Sequence, residues 1–204
     1  MPAPPFFSFR GNMEKQPIIM IDPGHGGSAA GASYDMPGLD YDGLKEKDFA
    51  LAVGLYLELM LANKQRHALL TRRDDRYVSL SDRVGQARAH QAGCFISIHA
   101  DAYPDSPVEG YTVFYNPAGL ALAKHINSTL AAFLPEERNR GSRPAKYYVL
   151  RNNDAPAVLV ECGFVSTTSQ RLWLMQPHVQ YRFALAIAQG IDLFLNLKEG
   201  SWIS

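Results

Sequence analysis

Apolar positions along the chain fall into two patterns, short continuous runs and stripes spaced by three and four, and their alternation predicts strands interleaved with helices. The run Ile18 to Ile21, stopped by Pro23, predicts a buried strand. Residues 28 to 45, rich in Gly, Ala, Ser and Asp, predict a long surface loop. Phe49, Ala52, Val53, Tyr56, Leu59 and Met60 then share one stripe, which predicts a helix over 46–63. A strand is expected over 67–71, a helix over 79–92 capped by Ser79 or Ser81, and a strand over 94–98 closed by His99. Further strands are expected over 110–115, 147–150 and 157–160. A helix over 118–133 and a polar turn holding Glu136, Glu137, Arg138, Asn139 and Arg140 lie among them. Two helical segments finish the chain. The last, about 179–197, sets Phe183, Ile187, Ile191 and Phe194 or Leu195 on one stripe behind Pro177.

This order predicts an α/β fold, an open, mostly parallel or mixed twisted sheet with helices on both faces, in which ligands gather beyond the carboxyl ends of strands. One domain over 17–198 is expected, between a flexible proline-rich leader, 1–16, and a tail, 199–204. A length of 204 residues with 47% hydrophobic and 20% charged positions suits that reading. Lys plus Arg equals Asp plus Glu at 20 each, so no global field favours nucleic acid or an anionic membrane. Cys94 and Cys162 lie far apart without a CxxC spacing, which argues against a disulfide scaffold and a cysteine zinc site and predicts buried thiols. The N-terminal residues carry no basic n-region and no apolar core, and no window approaches the roughly 20 apolar residues of a membrane span. The expectation is synthesis in the cytoplasm.

Three predicted strands lead to a chemically capable residue: Ile18–Ile21 to His25, in the turn Gly24-His25-Gly26-Gly27, Cys94–Ile98 to His99, and Ala157–Val160 to Glu161. Glu46 stands at a helix start, beside the positive end of a helix dipole. Two imidazoles and one carboxylate are a recurring catalytic zinc set with a position left for water, and Glu161 remains as proton carrier. Taken alone, Glu46 in Lys45-Glu46-Lys47-Asp48 reads as a solvated helix start. His67, His90, His125 and His178 are assigned no role, and Arg72 and Arg83 are expected in structural ion pairs rather than on substrate.

Asp22-Pro23-Gly24-His25-Gly26-Gly27, Lys45-Glu46-Lys47-Asp48, Thr71-Arg72, Ser97-Ile98-His99-Ala100-Asp101-Ala102 and Val158-Leu159-Val160-Glu161-Cys162-Gly163-Phe164-Val165-Ser166, in this order, resemble the zinc-dependent N-acetylmuramoyl-L-alanine amidases of the type 3 family. The likeness spans about 17–197. It implies a zinc-hydrolase fold, one Zn²⁺ per chain held by His25, Glu46 and His99, and Glu161 as the catalytic carboxylate. The implied reaction cleaves the amide between N-acetylmuramic acid and L-alanine in peptidoglycan.

The sequence departs from the family pattern at Asp101, where Asn is frequent, and at Arg88, Cys162 and Thr167. Some bacterial division amidases carry an extra helical segment that blocks the metal site; the stretch 116–146 is too short for one, which predicts a constitutively open site. Release onto the wall after membrane permeabilisation, as for an endolysin, is the expected route, with a cellular enzyme whose export segment is absent as the alternative. The expected partner is peptidoglycan, and a monomer is favoured. Competing readings are a zinc peptidase or deacylase on a small amide and a non-catalytic wall-binding module.

Overall fold

The computed structural model describes residues 16–31, 45–102 and 108–200, with side chains described as far as Asn196. The expected leader, apart from Gln16, most of the expected loop over 28–45, and the tail from Ser201 lie outside the described residues.

Six strands form one mixed sheet: β1 (Ile19–Pro23), β2 (Ala68–Leu70), β3 (Cys94–Asp101), β4 (Tyr111–Tyr115), β5 (Asn139–Pro144) and β6 (Ala157–Phe164), in the order β2-β1-β3-β6-β4-β5. Among these described strands the β4–β6 pair is antiparallel and the other pairs are parallel. Helices α1 (Glu46–Asn63), α2 (Leu80–Ala89), α3 (Leu120–Phe133), α4 (Tyr148–Arg151), α5 (Thr168–Leu174) and α6 (Pro177–Gly200) surround it.

Alternate residues of a strand serve opposite faces, and the two faces here are unequal. Ile19, Ile21, Ile96, Ile98, Val113, Val158 and Val160 are fully buried in the larger core, with Phe49 and Val53 of α1, Ile126 of α3 and Phe183 and Ile187 of α6. The opposite face carries Met20, Phe95, Ala157 and Leu159 in a smaller cluster under Val84 and Ala87 of α2 and Val149 and Leu150 of α4. Further toward the carboxyl ends of β1, β3 and β6 this second face turns polar, presenting Asp22, Ser97, His99 and Glu161. Cys94 and Cys162 are both buried, as expected, and are not joined in a disulfide.

The expected strand over 147–150 is instead the helical turn α4, although Tyr147, Tyr148 and Val149 favour strand. Val149 and Leu150 close the smaller cluster against α2, so packing overrides local preference. The strand of this region is β5, where a polar turn was expected at 136–140. β5 is an edge strand, exposed on much of its length and containing Gly141 and Pro144, so it shows no apolar alternation. β3 and β6 also run past their expected ends, which sets His99 and Glu161 inside the strands. Ser79 rather than Ser81 caps α2, accepting from the Asp82 amide at 3.1 Å.

Candidate metal centre

The turn after β1 bends through His25 in the left-handed region, at φ 58°. Two buried arginines hold it by its carbonyls. Arg83 donates to Asp22 Oδ1 at 2.6 Å, Pro23 O at 2.8 Å and His25 O at 2.6 Å. Arg72 donates to Pro23 O at 2.9 Å, Gly24 O at 2.7 Å and Lys47 O at 2.7 Å, so it ties the turn to the start of α1. Arg83 thus forms the expected ion pair, whereas Arg72 spends its fork of donors on backbone carbonyls.

Space at the turn is reserved for ligands. A Cβ on Gly24 would lie 2.3 Å from His99 Cε1, and one on Gly31 would lie 2.5 Å from Glu46 Oε2 and 2.8 Å from His25 Cδ2. His25 Nε2 stands 3.0 Å from Glu46 Oε1, and His99 Nδ1 stands 2.8 Å from the same oxygen. One ligand atom from each of the three residues lies within 4.8 Å of the others. Burial would raise the Glu46 carboxyl, but hydrogen bonding and charge from His25 and His99 outweigh it and hold the group far below the usual carboxylate range.

The far side of His99 decides what this convergence requires. Ser97 Oγ donates to Asp22 Oδ2 at 2.7 Å and lies 3.1 Å from His99 Nε2. With its one hydrogen committed to the carboxylate, Ser97 accepts from Nε2–H, which leaves Nδ1 as the nitrogen that faces the Glu46 carboxylate oxygen. A proton on Nδ1 satisfies that contact, and without the proton Nδ1 is a nitrogen ligand for a metal cation held with Glu46. Donor atoms about a tetrahedral zinc ion with ~2.0–2.1 Å bonds stand roughly 3.3 Å apart, so small adjustments admit one and the N, N, O donor set suits it. Asp22 is completed by Thr71 Oγ1 at 2.7 Å and by Arg83, all within the buried interior.

Glu161 is the direct cross-strand partner of His99. It is buried, and its Oε2 has no hydrogen-bond partner among the described residues. Burial first, then the negative charges of Glu46 and Asp101, push its carboxyl well above the usual range. Two cavities flank this centre. One of about 340 Å³ is lined by His25, His99, Tyr77, Leu80, Tyr147 and Leu159 among others. The second, about 250 Å³, is lined by Asp101, Val108, Thr112, Phe114, Arg140, Arg143 and Phe164.

The sequence pattern of the N-acetylmuramoyl-L-alanine amidase family matches residues 19–193, which encloses the whole of this centre. The chain belongs to that family. The probable cell wall amidase LytH of Staphylococcus epidermidis is 40% identical over 192 residues, covering 93% of this chain and 62% of that protein. The chain thus spans less than two thirds of the length of that relative. Among solved structures, amidase AmiC2 of Nostoc punctiforme superposes with a TM-score of 0.82 at 38% identity, covering 88% of this chain and 97% of that one. The catalytic domain of the amidase CwlV from Bacillus (Paenibacillus) polymyxa var. colistinus gives 0.81 at 32% identity, covering 89% and 99%. The α/β fold expected from the sequence is therefore that of the family.

The structure brings together all four residues singled out from the sequence, His25, Glu46, His99 and Glu161. Reasoning from sequence missed Ser97 and Asp22 as supports of His99. Both lie inside conspicuous motifs, but their contact exists only because Asp22 of β1 is in register with Ser97 of β3.

Proposed function

We propose that the protein is a zinc-dependent N-acetylmuramoyl-L-alanine amidase acting on peptidoglycan, with His25, Glu46 and His99 as metal ligands and Glu161 as the proton-transferring group. The observation that carries this reading is the convergence of His25 Nε2, His99 Nδ1 and Glu46 Oε1 beside a buried carboxylate oxygen without a partner. A zinc ion bound there supplies a Lewis acid that makes water more acidic and polarises a carbonyl. His99, held by Ser97, presents one nitrogen in a fixed direction, and Gly24 leaves its ring room. Glu161 accepts the proton of the attacking water and returns it to the departing alanine nitrogen. Its raised proton affinity favours uptake, and a nearby dication opposes the rise once bound. A monomer is the proposed state.

The wall is the proposed place of action, in keeping with the family and with the Staphylococcus relative described as a probable cell wall amidase. Among the described residues no helix is long and apolar enough to cross a membrane. An endolysin-like release is the proposed route, and fractionation of the producing cells separates it from secretion. The deciding experiment incubates purified peptidoglycan with the zinc-loaded protein, the chelated protein and the Glu161→Gln variant, and identifies products by mass spectrometry. Release of L-alanine amino termini without new reducing sugars, lost in both controls, is the expected result. New amino termini at other peptide bonds would instead identify a zinc peptidase, and binding without turnover a wall-binding module.

A further inference from the structure

We infer that the Arg140–Arg143 cavity is a carboxylate-binding subsite for the acidic peptide of the substrate, lying on the alanine side of the scissile amide. This rests on the amidase reading and adds to it the direction in which substrate crosses the site. Cross-strand partners share a face of the sheet. Asp22, Ser97, Leu159, Phe114 and Arg143 therefore form one row across β1, β3, β6, β4 and β5, and His99, Glu161 and Thr112 form the neighbouring row. Arg143 stands two strands from Glu161 on the face that carries the metal centre. Two strand spacings combined with the two-residue offset between the rows make roughly 12 Å between backbones, about three to four extended residues. A carboxylate two or three residues beyond the cleaved bond, met by the reach of the arginine side chain, spans that distance.

The arginines are held for recognition. The Arg140 guanidinium lies 5.4 Å from the ring centroid of Phe164 and donates to Glu109 O at 3.4 Å. Arg143 donates to Arg140 O at 3.1 Å. Neither pairs with a carboxylate within 4.0 Å among the described residues, in contrast to Arg66, Arg73, Arg76, Arg83, Arg88 and Arg182. Asp101 also lines the cavity, so among its described lining residues two arginines stand against one carboxylate, a balance that favours an anion. A guanidinium fork matches a carboxylate in both geometry and charge.

The flanking cavity beyond His99 is chemically opposite. Tyr77 and Leu80 are exposed there, and Tyr147 packs edge-on against Phe114 at 5.3 Å between the two cavities. An uncharged N-acetylated sugar offers apolar ring faces and a methyl group to such a wall, whereas the arginine that lines it, Arg83, is buried and already paired with Asp22, so an acidic peptide meets no unpaired guanidinium among its described lining residues. Charge complementarity thus directs the peptide to β5 and the sugar toward Tyr77 and Tyr147.

The test measures kcat/KM for a muramoyl peptide with free peptide carboxylates and for the same compound with those groups converted to primary amides. The wild type is expected to prefer the free acid by roughly 10- to 100-fold. That ratio should fall toward one in Arg140→Gln, Arg143→Gln and the double variant, mainly through KM. Arg88→Gln, at a surface ion pair with Asp154, should keep it. Equal cleavage of both compounds by the wild type, or a preference that survives the double variant, overturns the subsite. If the wild type cleaves neither, the amidase reading fails. Calorimetric binding of the free acidic peptide, lost or kept in the double variant, then decides the subsite by itself.

Discussion

Ser97 Oγ stands 3.1 Å from His99 Nε2 and gives its own hydrogen to Asp22, so Ser97 dictates which nitrogen of His99 points at Glu46. Removing that hydroxyl leaves the ring free to turn and strands an Asp22 oxygen in the interior. Ser97→Ala should weaken zinc binding about 10- to 100-fold, the usual cost of losing a ligand's outer partner. Ser97→Thr should restore most of it. Competition against a chromophoric chelator reads the affinity directly, and an unchanged value in Ser97→Ala would remove Ser97 from the support of the site.

Bound zinc should also appear as stability. A ligand at 100 times its dissociation constant adds about 2.7 kcal/mol, which for a chain of this size raises Tm by roughly 5–10 °C. Glu46→Gln should lose that rise, since the carboxylate oxygen faces both imidazoles. Scanning calorimetry with and without zinc tests it; a wild type whose Tm ignores zinc would argue that the three donors do not bind the ion.

Much of this was legible in the sequence, for identifiable reasons. The bounds of α1 match the apolar stripe from Phe49 to Met60, and β1, β3 and β6 are apolar because helices cover both faces of them. β5 was hidden because an edge strand needs no apolar alternation, and α4 because one turn of helix is too short to show a period. His25, His99 and Glu161 stand out by following apolar runs. Glu46 alone looks like a surface residue, and its tertiary contacts with His25 and with His99 and Ala100 of β3 are what bury it. The hold of Asp22 on Ser97 depends on strand register and is invisible before pairing is known.

Gly24 offers a steric test that leaves every donor in place. Its backbone requires no left-handed conformation, yet a Cβ there would press within 2.7 Å of three atoms of the His99 ring. Gly24→Ala should therefore displace His99 and weaken zinc binding while the Tm of the metal-free protein stays near that of the wild type. A variant that binds zinc as the wild type does would mean that the ring moves aside without consequence.

The buried carboxyl of Glu161 makes the metal-free protein sensitive to pH in a predictable direction. Its proton affinity is raised on folding, by burial first and then by Glu46 and Asp101, so between the ordinary value of 4.5 and the raised one the folded state holds a proton that the unfolded state has lost. Stability from this group is fully present below 4.5 and is lost as pH rises through the raised value. Glu161→Gln has no such proton to lose. The metal-free variant should thus be more stable than the wild type at neutral pH, with the gap closing as pH falls toward 4.5. The same variant should bind zinc yet turn over peptidoglycan about 10²–10⁴-fold more slowly, because a carboxamide cannot carry the proton. Thermal unfolding across pH, paired with the rate, separates the two roles. A gap that stays constant with pH would mean that Glu161 is already ionised in the folded protein, and a full rate in the variant would assign the proton transfer to another group.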